Sequence, residues 1–241
     1  MEAQQFIDQL KQSGHLNPLW EQLAEWDPQW TAAFMRMGLS AWTSGILPAK
    51  TVEFICIAGD ASCTHMYGPG VRRHIRAALE LGASKEEILE VLKLASVVGI
   101  HACNLGVPIL AEELAARGED TDAAAQPHPA IAALKASGRW NPLWDKLADW
   151  DPEWMALFIH AGSSAWRSGI LDAKTVEFIC IAGDASATHM YAPGVRRHIR
   201  AALDLGASRE EILEVLKLAS VIGIHACNLG VPILAEELQA R

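Results

Sequence analysis

Glu53, Cys56, Asp60 and Cys63 recur at helical spacing, so two carboxyls and two thiols fall on one stripe of a helix. Phe54, Ile55 and Ile57 flank that stripe. Carboxylates there would be partly desolvated, which raises a carboxyl pKa toward catalytic values unless a cation answers it. The cations follow closely. Arg72, Arg73 and Arg76 surround His74 just after Gly68-Pro69-Gly70, at the start of a helix. Cations in a first helical turn oppose the macrodipole at a cost of roughly 0.3 to 1 kcal/mol each, so something else must favour them. A bound anion would do so, since helix N–H groups and guanidinium forks together hold a carboxylate. Pairing with Glu53 or Asp60 would serve as well. The same dipole lowers the proton affinity of His74, making it available as a neutral base.

These residues recur. Glu177, Asp184, His189, Tyr191, Arg196, Arg197 and His198 repeat Glu53, Asp60, His65, Tyr67, Arg72, Arg73 and His74 in order, 124 positions later. A repeat of that period is a domain-sized unit present twice. The first unit spans 1–118, the second 128–241, and the polar, small-residue stretch 119–127 reads as a linker.

The elements that must position the site are helical throughout. Phe6, Ile7 and Leu10 predict a short helix over 3–12, ending at the Ser13-Gly14 loop, with a counterpart over 129–136. Asn17-Pro18 and Asp27-Pro28, repeated as Asn141-Pro142 and Asp151-Pro152, are caps followed by proline at the first helical position. The second of these helices is expected to run past Trp42 to Gly45, with its partner running from Trp154 to Gly169. Eight of the nine tryptophans match in pairs between the units, and the stripe they form is expected in the core or at a subunit interface. The next helix should extend from Pro48 to Met66, stopped by Gly68-Pro69-Gly70, and another from Val71 to Leu81, closed by Gly82. Ser84-Lys85-Glu86-Glu87 is a capping box that opens the following helix, with a break at Gly99. Pro108 should kink or interrupt the last helix, which begins at His101. No period-two pattern bounded by hairpin turns occurs, so the fold class is all-α with two tandem helical repeats.

Composition narrows the function. A net charge of -9 argues against nucleic acid as a partner. The start, Met1-Glu2-Ala3-Gln4-Gln5, lacks a signal peptide's basic and apolar regions, and no uninterrupted apolar run reaches the roughly 18 residues a transmembrane helix needs. A cytoplasmic protein without a membrane partner is expected. The five cysteines are odd in number and not closely paired, which predicts reduced, mostly buried thiols. His65, Tyr67, His74, His101 and Cys103 invite a metal reading. His65 and His74 straddle a turn, however, instead of sitting at the i, i+4 spacing of a helical metal pair, so no metal and no other cofactor is expected. His101 and Asn104 sit at the helix break, either satisfying backbone there or lining a pocket.

With Glu53 and the string His74-Ile75-Arg76-Ala77-Ala78-Leu79-Glu80-Leu81-Gly82-Ala83-Ser84-Lys85-Glu86-Glu87-Ile88, the sequence resembles the carboxymuconolactone decarboxylase and alkylhydroperoxidase D-like superfamily. Glu177 and the string from His198 to Ile212 match it equally, and the likeness covers about 100 residues of each unit. The peroxidase branch uses a Cys-x-x-Cys whose positions here hold Tyr67 and Gly70, or Tyr191 and Gly194, so dithiol peroxidase chemistry is excluded. The decarboxylase branch keeps the histidine. The resemblance therefore implies a cofactor-independent carboxy-lyase acting on a small carboxylated substrate, a lactone or aromatic catabolite. His74 and His198 would be its acid–base residues and Glu53 and Glu177 would orient them. Arg72, Arg73, Arg196 and Arg197, with His65, His189, Tyr67 and Tyr191, would bind the substrate. It also implies a homotrimer of two-unit chains forming a pseudo-hexameric ring. The stretch from Thr64 to Arg73 departs from the family pattern and is expected to shift His74 relative to Glu53. One-Cys peroxidase chemistry at Cys63, a metal-dependent enzyme and a non-catalytic oligomeric binding module are the alternatives.

Overall fold

The computed structural model describes residues 2–13, 16–119 and 128–240. Among these residues there are no strands, and the helices fall into two matching sets. The first is α1 (Ala3–Gln12), α2 (Glu21–Trp26), α3 (Pro28–Gly38), α4 (Ser40–Thr43), α5 (Ala49–Ala61), α6 (Gly68–Glu80), α7 (Lys85–Val97) and α8 (His101–Ala116). The second is α9 (Pro129–Ala136), α10 (Asp145–Trp150), α11 (Pro152–Gly162), α12 (Ser164–Ser168), α13 (Ala173–Ala185), α14 (Ala192–Asp204), α15 (Arg209–Val221) and α16 (His225–Gln239). Of the expected linker and the Ser13-Gly14 loop, residues 120–127 and Gly14 lie outside the described residues.

Local chemistry explains most of the boundaries. Asp27 caps α3 by accepting from the Trp30 backbone N–H at 3.0 Å, and Asp151 does the same for Trp154. Ser84 and Glu87 form the reciprocal capping box at the start of α7. Three expectations need correction. The helix over Pro28–Trp42 breaks at Leu39 into α3 and α4, and α12 likewise follows α11 after Ser163. The helix of Glu53 ends at Ala61, because Ser62 is extended and Ser62 to Met66 form a turn, which puts Cys63 beyond the helical stripe. Gly68-Pro69-Gly70 does not stop a helix but forms the first turn of α6, where the missing proline N–H has no intrahelical partner to lose. Pro108 likewise sits inside α8 without ending it.

The two units share one core. Val52, Phe54, Ile55 and Ile57 of α5 pack with Val176, Phe178, Ile179 and Ile181 of α13 in a single buried cluster, to which α7 and α15 add Val91, Leu94, Val215 and Leu218. A buried Phe or Ile contributes roughly 1.5–3 kcal/mol, so neither unit keeps its main core if separated. Gly59 permits this close approach, since a Cβ there would lie 2.5 Å from Ile222 Cδ1 of the other unit. Thr64 and Thr188, equivalent residues, hydrogen-bond to each other at 2.9 Å, so that contact marks the pseudo-twofold axis.

The last helix of each unit crosses over. A 3-10 turn at Val98–Ile100 redirects the chain after α7, and α8 packs against α10 while Ile100 joins Ile131, Trp144, Ala148 and Met155 in a smaller cluster. The matching turn at Ile222–Ile224 sends α16 against α2. This exchange is what carries side chains of one unit into the other's site. Lys85–Ala116 and Arg209–Gln239 are long and apolar enough to cross a membrane by length and composition alone. Each is interrupted by that 3-10 turn and carries a buried glutamate, histidine and asparagine.

Candidate functional site

Glu53 is buried on α5, facing α6, with 4% of its surface exposed. Both of its carboxylate oxygens are engaged. Oε2 lies 2.6 Å from His74 Nδ1, and Oε1 accepts from Trp42 Nε1 at 2.6 Å. His74, 6% exposed, has its Nε2 3.0 Å from Arg73 Nη2. A guanidinium only donates, so Nε2 must accept and the proton of a neutral ring must sit on Nδ1, pointing at Glu53. The ring is thereby fixed as the tautomer whose basic nitrogen faces outward, toward Arg73. Repeat two reproduces this arrangement: His198 Nδ1 to Glu177 Oε2 is 2.6 Å, Trp166 donates to Glu177 Oε1 at 2.7 Å, and Arg197 reaches His198 at 3.0 Å.

The expected displacement of His74 from Glu53 is not found, because Ser62 to Met66 form a compact turn that leaves α6 packed along α5. Tyr67 N–H donates to the Asp60 carbonyl at 2.8 Å and closes that turn. The tryptophans divide: Trp144 is buried in a core cluster, and Trp20 and Trp166 pack against others. Trp30, Trp42 and Trp154 are exposed in the single chain, and Trp42 and Trp166 hold the glutamates through their Nε1–H groups.

The arginines line cavities. One of about 240 Å³ is bounded by Tyr67, Gly70, Arg72, Arg73 and Arg76 together with Asn17. A second, of about 620 Å³, lies along α14 and is bounded by Asp184, Val195, Arg196, Ile199, Arg200 and Leu203. Neither is lined by the histidine itself. In the first cavity Arg73 stands between the open space and His74 Nε2.

Beyond the pair, a second polar group joins the two units. His65 Nε2 is 2.6 Å from His225 Nδ1, which in turn is 3.6 Å from Asp60 Oδ1. Tyr67 stacks on His225 with ring centroids 3.8 Å apart, and Asn228 donates to the Tyr67 hydroxyl at 3.1 Å. Trp20 Nε1 donates to Asn228 Oδ1. The mirror group is His189, His101, Asp184, Tyr191, Asn104 and Trp144, with 2.6 Å between the histidines, 3.6 Å to Asp184 and 2.8 Å from Trp144 to Asn104. His101 and Asn104, read at the helix break as backbone partners or pocket lining, line neither cavity and bond instead to His189, Tyr191 and Trp144 of the other unit. His65, Tyr67, His189 and Tyr191, expected as substrate binders, belong to these groups.

Burial sets the electrostatics here. It pushes the Asp60 carboxyl up to about 7, opposed by the charge of Arg73, and Asp184 up to about 6, opposed by His198 and Arg197. Burial, with the charges of His65 and Arg73 nearby, draws His225 down to about 4, and burial with His189 and Arg197 draws His101 down to about 3. Cys56 and Cys180 are pushed well up by burial and by the adjacent carboxylates, so they are thiols and not thiolate nucleophiles. Cys63 is exposed. Trp42 and Trp20, with their counterparts Trp166 and Trp144, are site residues that spacing alone did not reveal. The available signal was that His101 and Asn104 are polar residues in an otherwise apolar helix.

No curated protein matches the sequence significantly. A crystal structure from Burkholderia xenovorans, provisionally described as a gamma-carboxymuconolactone decarboxylase subunit, superposes with a TM-score of 0.89 at 39% identity, covering 100% of this chain and 98% of that one. The family model for the carboxymuconolactone decarboxylase family matches residues 28–106 and again 152–229, which are the two stretches that hold the Glu–His pairs. By those two matches, together more than half its length, the chain belongs to the carboxymuconolactone decarboxylase family.

Proposed function

We propose that the protein is a carboxy-lyase that removes carbon dioxide from a small carboxylated lactone, with His74 and His198 as proton carriers. The observation that carries this reading is the ordered chain Trp42, Glu53, His74, Arg73, which ends at a cavity bounded by three arginines. A substrate carboxylate would draw the Arg73 guanidinium into a charge-assisted pair and free His74 Nε2. When the bond from carbon to the carboxylate breaks, its electron pair enters the conjugated lactone as an enolate and carbon dioxide leaves. The carbon is then protonated, and His74 Nε2, having taken up a proton from solvent or substrate, is the atom placed to deliver it. Glu53 holds the imidazole and stabilises its charged form, so that orientation is set before the substrate arrives. The proton transfer itself needs no group beyond these side chains.

The test is release of carbon dioxide from gamma-carboxymuconolactone by the full chain. His74→Ala combined with His198→Ala should lower turnover by about 10²- to 10⁴-fold, the usual contribution of a positioned acid–base group, with the helical circular dichroism retained. His74→Gln with His198→Gln serves as the less disruptive pair. Unchanged turnover in either pair would remove the acid–base assignment, and an inactive wild type would remove the lactone.

A further inference from the structure

Asp60 is 2% exposed, yet its Oδ2 has no hydrogen-bond partner, and the same is true of Asp184 Oδ2. A buried carboxylate without partners is costly, and native proteins seldom leave one alone. Its neighbours make the omission informative. One nitrogen each of His65 and His225 and an oxygen of Asp60 lie within 4.8 Å of one another, and the set His189, His101 and Asp184 repeats the arrangement. A hydrogen bond between the two imidazoles accounts for their 2.6 Å contact, while the aspartate stands beside histidines without bonding to them: Oδ1 is 3.6 Å from His225 Nδ1, and the unpartnered Oδ2 is 3.9 Å from His74 Nε2. One cation between Asp60 Oδ1 and the two imidazole nitrogens would neutralise the buried carboxylate and bridge all three groups.

We propose that the chain carries two divalent transition-metal sites, one made by Asp60, His65 and His225 and the other by Asp184, His189 and His101. Two imidazoles and one carboxylate suit Zn²⁺ or Fe²⁺ and leave positions open for water or an oxygen ligand. Metal–ligand bonds of about 2.0–2.2 Å place tetrahedral donors about 3.3 Å apart. The 2.6 Å and 3.6 Å separations at His225 bracket that value, and all three donor atoms lie within 4.8 Å of one another. The surroundings are built to hold the donors in place. Tyr67 stacks on His225, Asn228 donates to the Tyr67 hydroxyl, and Trp20 donates to Asn228, so packing holds the His225 ring in its orientation. Gly70 completes the packing. A Cβ at that position would lie 1.9 Å from Asp60 Oδ2, and one at Gly194 would lie 1.8 Å from Asp184 Oδ2, so only glycine leaves the carboxylate its space. Because His225 comes from the exchanged helix α16, the ion would also tie the two units together.

This site does not depend on the decarboxylase reading, and the experiment separates the two. Untagged full-length chain is stripped with a chelator and titrated with Co²⁺, whose d–d absorption reports nitrogen and oxygen ligation, and Zn²⁺ is then added as competitor. Two Co²⁺ per chain displaced by Zn²⁺ are expected, falling to one in His225→Ala and to none when His101→Ala is added. His65→Ala, altered on the turn and not in a helix, should also leave one, which guards against loss through misfolding. Absence of the Co²⁺ spectrum, or binding unaffected by these variants, overturns the proposal. His74→Ala with His198→Ala should still bind two ions. A chain that binds Co²⁺ but leaves the lactone intact refutes only the decarboxylase, and one that turns over the lactone without binding Co²⁺ refutes only the metal site.

Discussion

Glu53 and Asp60 sit seven residues apart on one face of α5, and both are buried. Their circumstances are otherwise opposite. Glu53 uses both oxygens, one toward His74 and one toward Trp42, whereas Asp60 leaves Oδ2 with no hydrogen bond. Each half of the molecule repeats the contrast, with Glu177 engaged by His198 and Trp166 and Asp184 left open. The difference separates two uses of a buried acid. A carboxylate whose partners are all protein groups orients them, and its chemistry is finished within the fold. One that is buried without partners retains capacity for something the chain does not itself supply.

The largest effect should come from the satisfied end. Glu53→Gln with Glu177→Gln keeps the shape but replaces an acceptor oxygen with a donating amide. Trp42 and His74 both donate to this side chain, so one of them loses its partner. If His74 changes tautomer to recover a bond, its Nε2–H then meets the Arg73 guanidinium, donor against donor. Lactone turnover should fall by about 10²-fold in kcat with a smaller change in KM, because Glu53 positions the base and does not touch the substrate. Stability should drop by about 1–3 kcal/mol for each unsatisfied group. Equal activity with an unchanged melting temperature would show that Glu53 is no different from any buried polar residue.

Asp60→Asn with Asp184→Asn should act in the other direction on the metal-free chain. It removes a buried carboxyl whose desolvation outweighs the charge of Arg73 and whose Oδ2 has no hydrogen bond, and asparagine fits the space above Gly70 that a larger residue would not. An increase of about 1 kcal/mol per site is expected, seen as a rise of roughly 2–4 °C per kcal/mol in the melting temperature after chelation. A fall like that of the glutamate variants would break the contrast, since it would mean that Asp60 is held by partners after all.

How much of this was legible in the sequence follows from the range of each interaction. The capping box at Ser84 and the helix starts at Asp27 and Asp151 are set within a few residues and pattern alone reveals them, whereas the Glu53–His74 pairing, 21 residues apart, was implied only by the family resemblance. His225 reaches His65 across 160 residues, and no local spacing foretells it. It arrives there because a three-residue 3-10 turn redirects α16 onto the other unit, a change of direction that Gly223 hints at without specifying. The role of Trp42 was hidden for a related reason. A Trp stripe has the period of a core face, but Trp42 is 36% exposed in the chain and uses its N–H to hold Glu53, and composition cannot distinguish those roles. Gly68-Pro69-Gly70 reads as a stop, although a proline in the first turn of α6 is equally compatible with a start.

The smallest effect concerns the turn that places His65 and Tyr67. Met66 there has φ of 52° and Met190 has φ of 53°, left-handed backbone that a side chain with a Cβ occupies at a cost of about 1–2 kcal/mol. Met66 is 73% exposed, so little packing offsets that cost within the chain. Glycine removes the strain but adds entropy to the unfolded chain, and the two partly cancel. Met66→Gly and Met190→Gly should each therefore stabilise by about 0.5–1 kcal/mol in a denaturant titration, an effect too small to blur the opposed responses of Glu53 and Asp60. The double variant carries the sharper information. The two turns meet at the Thr64–Thr188 hydrogen bond, so a sum differing from the single values by more than about 0.5 kcal/mol would show that the two sites relax together. Strict additivity would show that each set of acid, histidine and tyrosine is held by its own turn.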